Sequence, residues 1–184
     1  MSNSAQTPQV HLIGEIKGAT GFNSSRTFCK FEVKCGLNWT LINGQDSGET
    51  YEEVADEIDE FAVWDHPFDL HYKCKAIRGW PKFQLEVWQA DNEGRYSIAG
   101  YGVGVVPFEP GNHKMKIKCW TPKPQGFFKS LAANLLGIKP ELKFKDICMS
   151  SAERFGFETE TTGTVEIEVG VILKDFNLHG VTLY

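Results

Sequence analysis

Apolar and polar residues alternate with a period of two along most of this chain. The cleanest run is Thr164 to Leu173, with Val165, Ile167, Val169, Val171 and Leu173 on one face and Thr164, Glu166 and Glu168 on the other. That is the pattern of a strand with one buried side. Val10 to Lys17 repeats it with Val10, Leu12, Gly14 and Ile16 inward, and Thr27 to Cys35 with Phe31 and Val33 inward against Lys30, Glu32 and Lys34. Trp39 to Ile42, Phe61 to Trp64, Leu70 to Ile77, Lys114 to Trp120 and Leu142 to Met149 predict further strands. Asp65-His66-Pro67 reads as a rigid corner between two of them. Gly44 to Glu60 reads as an acidic loop with helical character around Glu52 to Ile58, and Thr121 to Gly126 as a loop with two prolines. Helical spacing belongs to Phe127 to Leu136, where Phe127, Phe128, Leu131 and Leu135 share a face and Gly137 and Pro140 end the run.

The segment from Trp80 to Pro107 organises the middle of the chain. Phe83, Leu85 and Val87 alternate with Lys82, Gln84 and Glu86, a polar loop runs from Gln89 to Gly94, and a second strand follows from Ile98 to Val106. Gly100, Gly102 and Gly104 on that second strand predict close backbone approach or a bulge. About eight short strands, glycine and proline turns and one helix near residues 127–136 add up to an all-β antiparallel sandwich. No linker divides it, so residues 10–181 form a single domain after a disordered leader at 1–9.

Composition narrows the class. The leader has neither the basic nor the apolar region of a secretory signal, and no apolar run approaches the roughly 18 residues of a membrane span. Five cysteines, an odd number without C-x-x-C spacing, predict buried reduced thiols in a cytosolic protein. The net charge of −5 is unevenly spread: Asp46 to Glu60 holds eight acids and no base, and Lys114 to Lys145 holds eight lysines and one acid. Two charged faces suit two partners, and ordinary solvated surfaces are the plainer alternative. The acidic balance argues against nucleic acid.

The motifs of hydrolases, phosphate loops and zinc proteases do not occur, and Gly100-x-Gly102-x-Gly104 follows no strand-to-helix turn. The sequence therefore predicts no enzyme and no cofactor. His66 and His71, flanked by Asp65 and Asp69, are the one place for a metal or an acid–base pair, but hydrogen-bonded structural histidines are the expected outcome. Val87 to Gly100 resembles the calcium-binding connection of C2 domains, V-x-D-x-D-x-x-G-R-x-D-x-x-G. Here Gln89 and Ser97 take the first and third aspartate positions, and Asp91 alone keeps a carboxylate. Between Glu15 and Glu32 there is no acid to supply a second ligand loop. A cation that wants six to eight oxygens finds too few there. A calcium-independent contact with an anionic membrane surface, through Lys114, Lys116 and Lys118 with Phe127 and Phe128, is the alternative function.

Several motifs carry a closer resemblance. Gly14 to Phe22, Cys29-Lys30-Phe31, Trp39-x-Leu41, Trp64-Asp65-His66-Pro67-Phe68-Asp69-Leu70-His71 and Gly79-Trp80-Pro81 are similar to the B9 domain family. So are Val87-Trp88-x-x-Asp91-x-x-Gly94-Arg95, Ala99-Gly100-Tyr101-Gly102, Pro110-Gly111-x-His113 and Trp120-x-Pro122. The resemblance implies a C2-like sandwich acting without catalysis in the cytoplasm, at the ciliary transition zone beside the basal body. It implies a hetero-complex with B9 domain-containing protein 1 and Meckel syndrome protein 1, and indirectly with tectonic-type membrane proteins, that supports cilium biogenesis and a membrane diffusion barrier. The candidate contact residues are Lys114, Lys116, Lys118, Phe127, Phe128 and Lys129 on the basic side, and Glu52, Glu53 and Glu57 on the acidic side.

Overall fold

The computed structural model describes residues 7–55, 60–123 and 158–176. Ten strands occur among them: β1 (Gln9–Thr20), β2 (Arg26–Lys34), β3 (Trp39–Asn43), β4 (Ser47–Glu49), β5 (Glu53–Val54), β6 (Phe61–Cys74), β7 (Lys82–Ala90), β8 (Tyr96–Val105), β9 (Gly111–Pro122) and β10 (Thr159–Lys174). The expected helix at 127–136 and the expected strand at 142–149 lie outside the described residues.

The strands run in the order β3-β6-β1-β10-β9-β8-β7-β2-β4, with β5 added to β2. The ladder from β8 to β9 is only two pairs long, Tyr101 with Trp120 and Gly102 with Cys119. There the sheet curls over, so β3-β6-β1-β10-β9 lies against β8-β7-β2-β4. Contacts across the layers bear this out. The rings of Phe68 on β6 and Phe83 on β7 meet at 5.2 Å, and Trp64 Nε1 on β6 donates to the Thr27 carbonyl on β2 at 3.1 Å.

Between the layers lie the inward positions of the alternating runs. Val10, Leu12, Ile16, Leu70, Val165 and Ile167 face Cys29, Phe83, Leu85 and Val87, all without accessible surface. Full burial of each aliphatic side chain stabilises by about 1.5–3 kcal/mol. The three glycines of β8 have a packing reason. A Cβ on Gly100 or Gly102 would stand 3.0 Å or 2.9 Å from the Cys119 side chain, and one on Gly104 2.4 Å from Ile117. The strand gives up side chains so that β9 can fill the space. The expected bulge is also present, between Val87 and Trp88.

Four local expectations differ. Asp65-His66-Pro67 is no corner, because β6 runs unbroken from Phe61 to Cys74. A bulge opposite Ile16 to Gly18 absorbs the extra residue, and Asp65 takes a left-handed φ of 40° there, a conformation aspartate tolerates better than most residues. Lys17 Nζ bridges Asp65 at 2.6 Å and Glu15 at 3.1 Å, which secures the bulge. Pro67 is accommodated because β3 pairs only with residues 71–74, so among the described residues no strand pairs with β6 on that side of Pro67. The stretch expected to be helical from Glu52 is extended: Glu53–Val54 is β5 on the edge of β2, with 56–59 outside the described residues. Thr121–Pro122 ends β9 instead of opening a loop. Finally, β7 is covered on both faces, with Gln84 and Glu86 as buried as many core residues, at 5% and 7% exposed.

Candidate functional site

The loop between β7 and β8 is committed to its own structure. Asp91 Oδ1 accepts from the backbone N–H groups of Glu93 at 2.9 Å and Arg95 at 2.8 Å, and Asp91 Oδ2 from Arg95 Nε at 2.8 Å. These donors, the Arg95 amide foremost, hold the Asp91 carboxyl below its ordinary range. The one carboxylate in the calcium-like position thus caps a turn that Gly94 closes at φ 77°.

The two candidate histidines do not meet. His66 points inward, where its ring packs edge-on against Phe31 at 5.3 Å and burial lowers its pKa. His71 lies on the outer face, its Nε2 2.9 Å from Gln9 Oε1 and its ring stacked on His11 at 5.1 Å. His11 in turn is 2.6 Å from Asp69 Oδ1. Among the described residues no three His, Cys, Asp or Glu side chains converge as metal ligands would.

The basic face is a cross-strand ladder. Register sets Lys114 opposite Glu168, Lys116 opposite Glu166 and Lys118 opposite Thr164. Lys114 Nζ reaches Glu168 Oε1 at 2.9 Å, and Lys116 Nζ reaches Glu166 Oε1 at 2.6 Å. The face is therefore one of alternating sign across two strands. The acidic side is paired in the same way: Arg26 Nη2 bonds Glu52 Oε1 at 2.6 Å, and Lys30 Nζ lies 3.2 Å from Glu49 Oε2. A hydrogen bond from Tyr96 and the Arg26 guanidinium hold the Glu52 carboxyl low. Glu53 is exposed on β5 opposite Thr27. Glu57, Phe127, Phe128 and Lys129 lie outside the described residues.

Sequence reasoning missed the partners Glu166, Glu168, Arg26 and Tyr96. The outward phase of Glu166 and Glu168 was the available signal, but only the β9–β10 register places them against the lysines. The described cysteines are free thiols, with Cys29, Cys74 and Cys119 buried. Burial pushes the Cys119 thiol up to about 12 and Cys29 well above its ordinary value. Cys148 lies outside the described residues. No described helix is long and apolar enough to cross a membrane.

The architecture is that of a C2-like antiparallel sandwich whose loop carboxylate, histidines and thiols are built into its own framework. Relatives sharpen this to a family. The chain belongs to the ciliary basal body-associated B9 proteins, the family whose pattern matches residues 10–172. It is 40% identical to B9 domain-containing protein 2 of Bos taurus over 174 residues, covering 94% of this chain and 98% of that one. The human B9 domain-containing protein 2 is 38% identical over the same span and coverage. Human B9 domain-containing protein 1 is 25% identical over 178 residues, covering 95% and 87%. Among solved structures, a C2 domain of plant extended synaptotagmin 1 is 12% identical with a TM-score of 0.43, covering 90% of this chain and 94% of that one. The H-P-x-D-L-H and G-W-P elements thus pointed to the right family.

Proposed function

We propose that this chain is a non-enzymatic bridging subunit of a B9 complex at the ciliary transition zone, supporting ciliogenesis and the membrane diffusion barrier. The observation that carries the reading is the B9 match over residues 10–172, nearly the whole described sandwich. The partners are B9 domain-containing protein 1 and Meckel syndrome protein 1, with tectonic-type membrane proteins joined indirectly. The geometry supports surface recognition: the β9–β10 ladder and the Arg26–Glu52 pair on β2 and its edge are both cross-paired at the surface, with β8 and β7 between them in the strand order. Charge patterns of this kind set partner choice and register more than affinity.

Reconstitution of the purified chain with the two partners tests it. Reversing Lys114, Lys116 and Lys118 to glutamate sets them beside Glu166 and Glu168, and is expected to weaken one partner and spare the other. Unchanged binding of both partners contradicts the two-face arrangement, and failure of either partner to bind the unaltered chain contradicts the bridge.

A further inference from the structure

At the end of the sandwich away from the Asp91 loop, three connections converge: 35–38 between β2 and β3, 75–81 between β6 and β7, and 106–110 between β8 and β9. They are bonded to one another. The Gly36 amide donates to the Gly79 carbonyl at 2.8 Å, the Val106 amide to the Pro81 carbonyl at 3.1 Å, and Trp80 Nε1 to the Val106 carbonyl at 2.9 Å.

Each connection nevertheless leaves a large apolar side chain at the surface: Leu37 fully exposed at 105%, Ile77 partly at 36%, and Phe108 at 52% with one side of its ring packed on Trp80 at 4.8 Å. Leu37 occupies a tight turn closed by the Trp39 amide on the Gly36 carbonyl at 3.0 Å. Such positions ordinarily take glycine, asparagine or aspartate, and a leucine with no contact contributes nothing to folding. Around these tips stand Lys75 and Arg78, both exposed, and Lys82 at the adjoining strand end, facing Lys34 across the ladder. Lys75, Arg78 and Lys82 form no ion pair with the described residues, and Glu109 is the sole acid of the three connections. This contrasts with Lys114 and Lys116 on β9, which are paired with Glu168 and Glu166, and with a chain whose net charge is −5.

We propose that this end is a calcium-independent docking surface for an anionic lipid bilayer. Leu37, Ile77 and Phe108 enter the headgroup–acyl boundary, and Lys75, Arg78 and Lys82 meet the lipid phosphates. Apolar tips on separate loops are knobs, whereas a stable protein partner needs a continuous patch of about 800 Å² on each side. A bilayer receives each knob singly, and apolar burial adds to the attraction between cations and anionic headgroups. The bonded loops are already ordered, so insertion costs little entropy.

The test is sedimentation of the whole chain with vesicles of phosphatidylcholine alone and of phosphatidylcholine mixed with phosphatidylserine, without calcium. Binding is expected only to the mixed vesicles and falls as salt rises. K75E/R78E lowers the partition coefficient at least about tenfold. L37S also lowers it and leaves the unfolding midpoint unchanged, because the side chain is fully exposed. K114E/K116E retains vesicle binding. Absence of sedimentation at low salt, or unaltered binding by L37S and K75E/R78E, overturns the proposal. Loss of a protein partner by L37S without any vesicle binding overturns it too and assigns the end to that protein. Partner co-purification on the same variants reads the bridging function separately.

Discussion

A Cβ on Gly79 would stand 2.4 Å from the Gly36 Cα, and the Gly36 amide donates to the Gly79 carbonyl at 2.8 Å. Both glycines sit on connections that pass from one layer to the other, β2 to β3 and β6 to β7. The chain thus crosses the end of the sandwich twice, backbone against backbone. Just beyond, Trp39 and Trp80 meet edge to face at 5.3 Å; the Trp39 indole N–H is bonded to the Arg78 carbonyl, and that of Trp80 to the Val106 carbonyl on the β8–β9 connection.

Replacing Gly79 by alanine combines two costs, a side chain at φ 83° and a clash with rigid backbone. G79A is expected to lose about 2–4 kcal/mol of stability. Gly94 has φ 77° with nothing within 4 Å of an added Cβ, so G94A loses only the conformational part, about 1 kcal/mol. Urea unfolding of the two variants reads the difference, which isolates the crossing contact.

The glycines of β8 predict a compensating pair. G102A brings a methyl to 2.9 Å from Cys119 Sγ and is expected to cost about 1–3 kcal/mol. C119A removes that sulfur, so the double variant recovers part of the loss. A double-mutant cycle should return a coupling of about 0.5–3 kcal/mol, and strict additivity would contradict the close packing of β8 on β9.

Buried thiols predict a loss of stability in alkali. The Cys119 thiol is pushed up to about 12 in the fold, whereas an unfolded cysteine ionises near about 8.5. The folded state keeps its proton where the unfolded chain sheds it. The contribution is therefore complete below about pH 8.5 and is lost progressively up to about pH 12, at about 1.4 kcal/mol per pH unit. C119A should show a shallower decline over this window. Cys29 and Cys119 should react with a disulfide reagent only after unfolding.

The ladder of Lys114 and Lys116 with Glu168 and Glu166 contributes little to stability, because its side chains are largely exposed. Removing the lysines as K114A/K116A is expected to cost less than about 1 kcal/mol per pair. Exchanging the signs, with K114E/K116E and E166K/E168K combined, should restore any stability lost to like-charge contact. Thermal unfolding measures both.

Much of the sandwich was legible from local pattern. The inward residues of β1, β2 and β10 follow from alternation alone, and Gly100, Gly102 and Gly104 announced the close approach of β9. The misreadings share one cause. Asp65 and Pro67 are local strand breakers, but a bulge absorbs the first, and the second lies where no described strand pairs with β6 on its outer side. Glu53–Val54 has no strand pattern of its own and becomes β5 by adding to β2. Gln84 and Glu86 have an outward phase, but burial of that face is set by what lies over it.

Taken by itself, the sequence determined which side of most strands is apolar, that the calcium position keeps only one of its three aspartates, and which family the chain resembles. Those properties depend on residues within a few positions of one another. Only the tertiary structure decided that Lys116 meets Glu166, far along the chain, that His66 and His71 face opposite ways, and that Leu37, Ile77 and Phe108 crown one end. Such contacts are fixed by register and by the crossing of chains at Gly36 and Gly79, where burial of the whole core, not local preference, selects the arrangement.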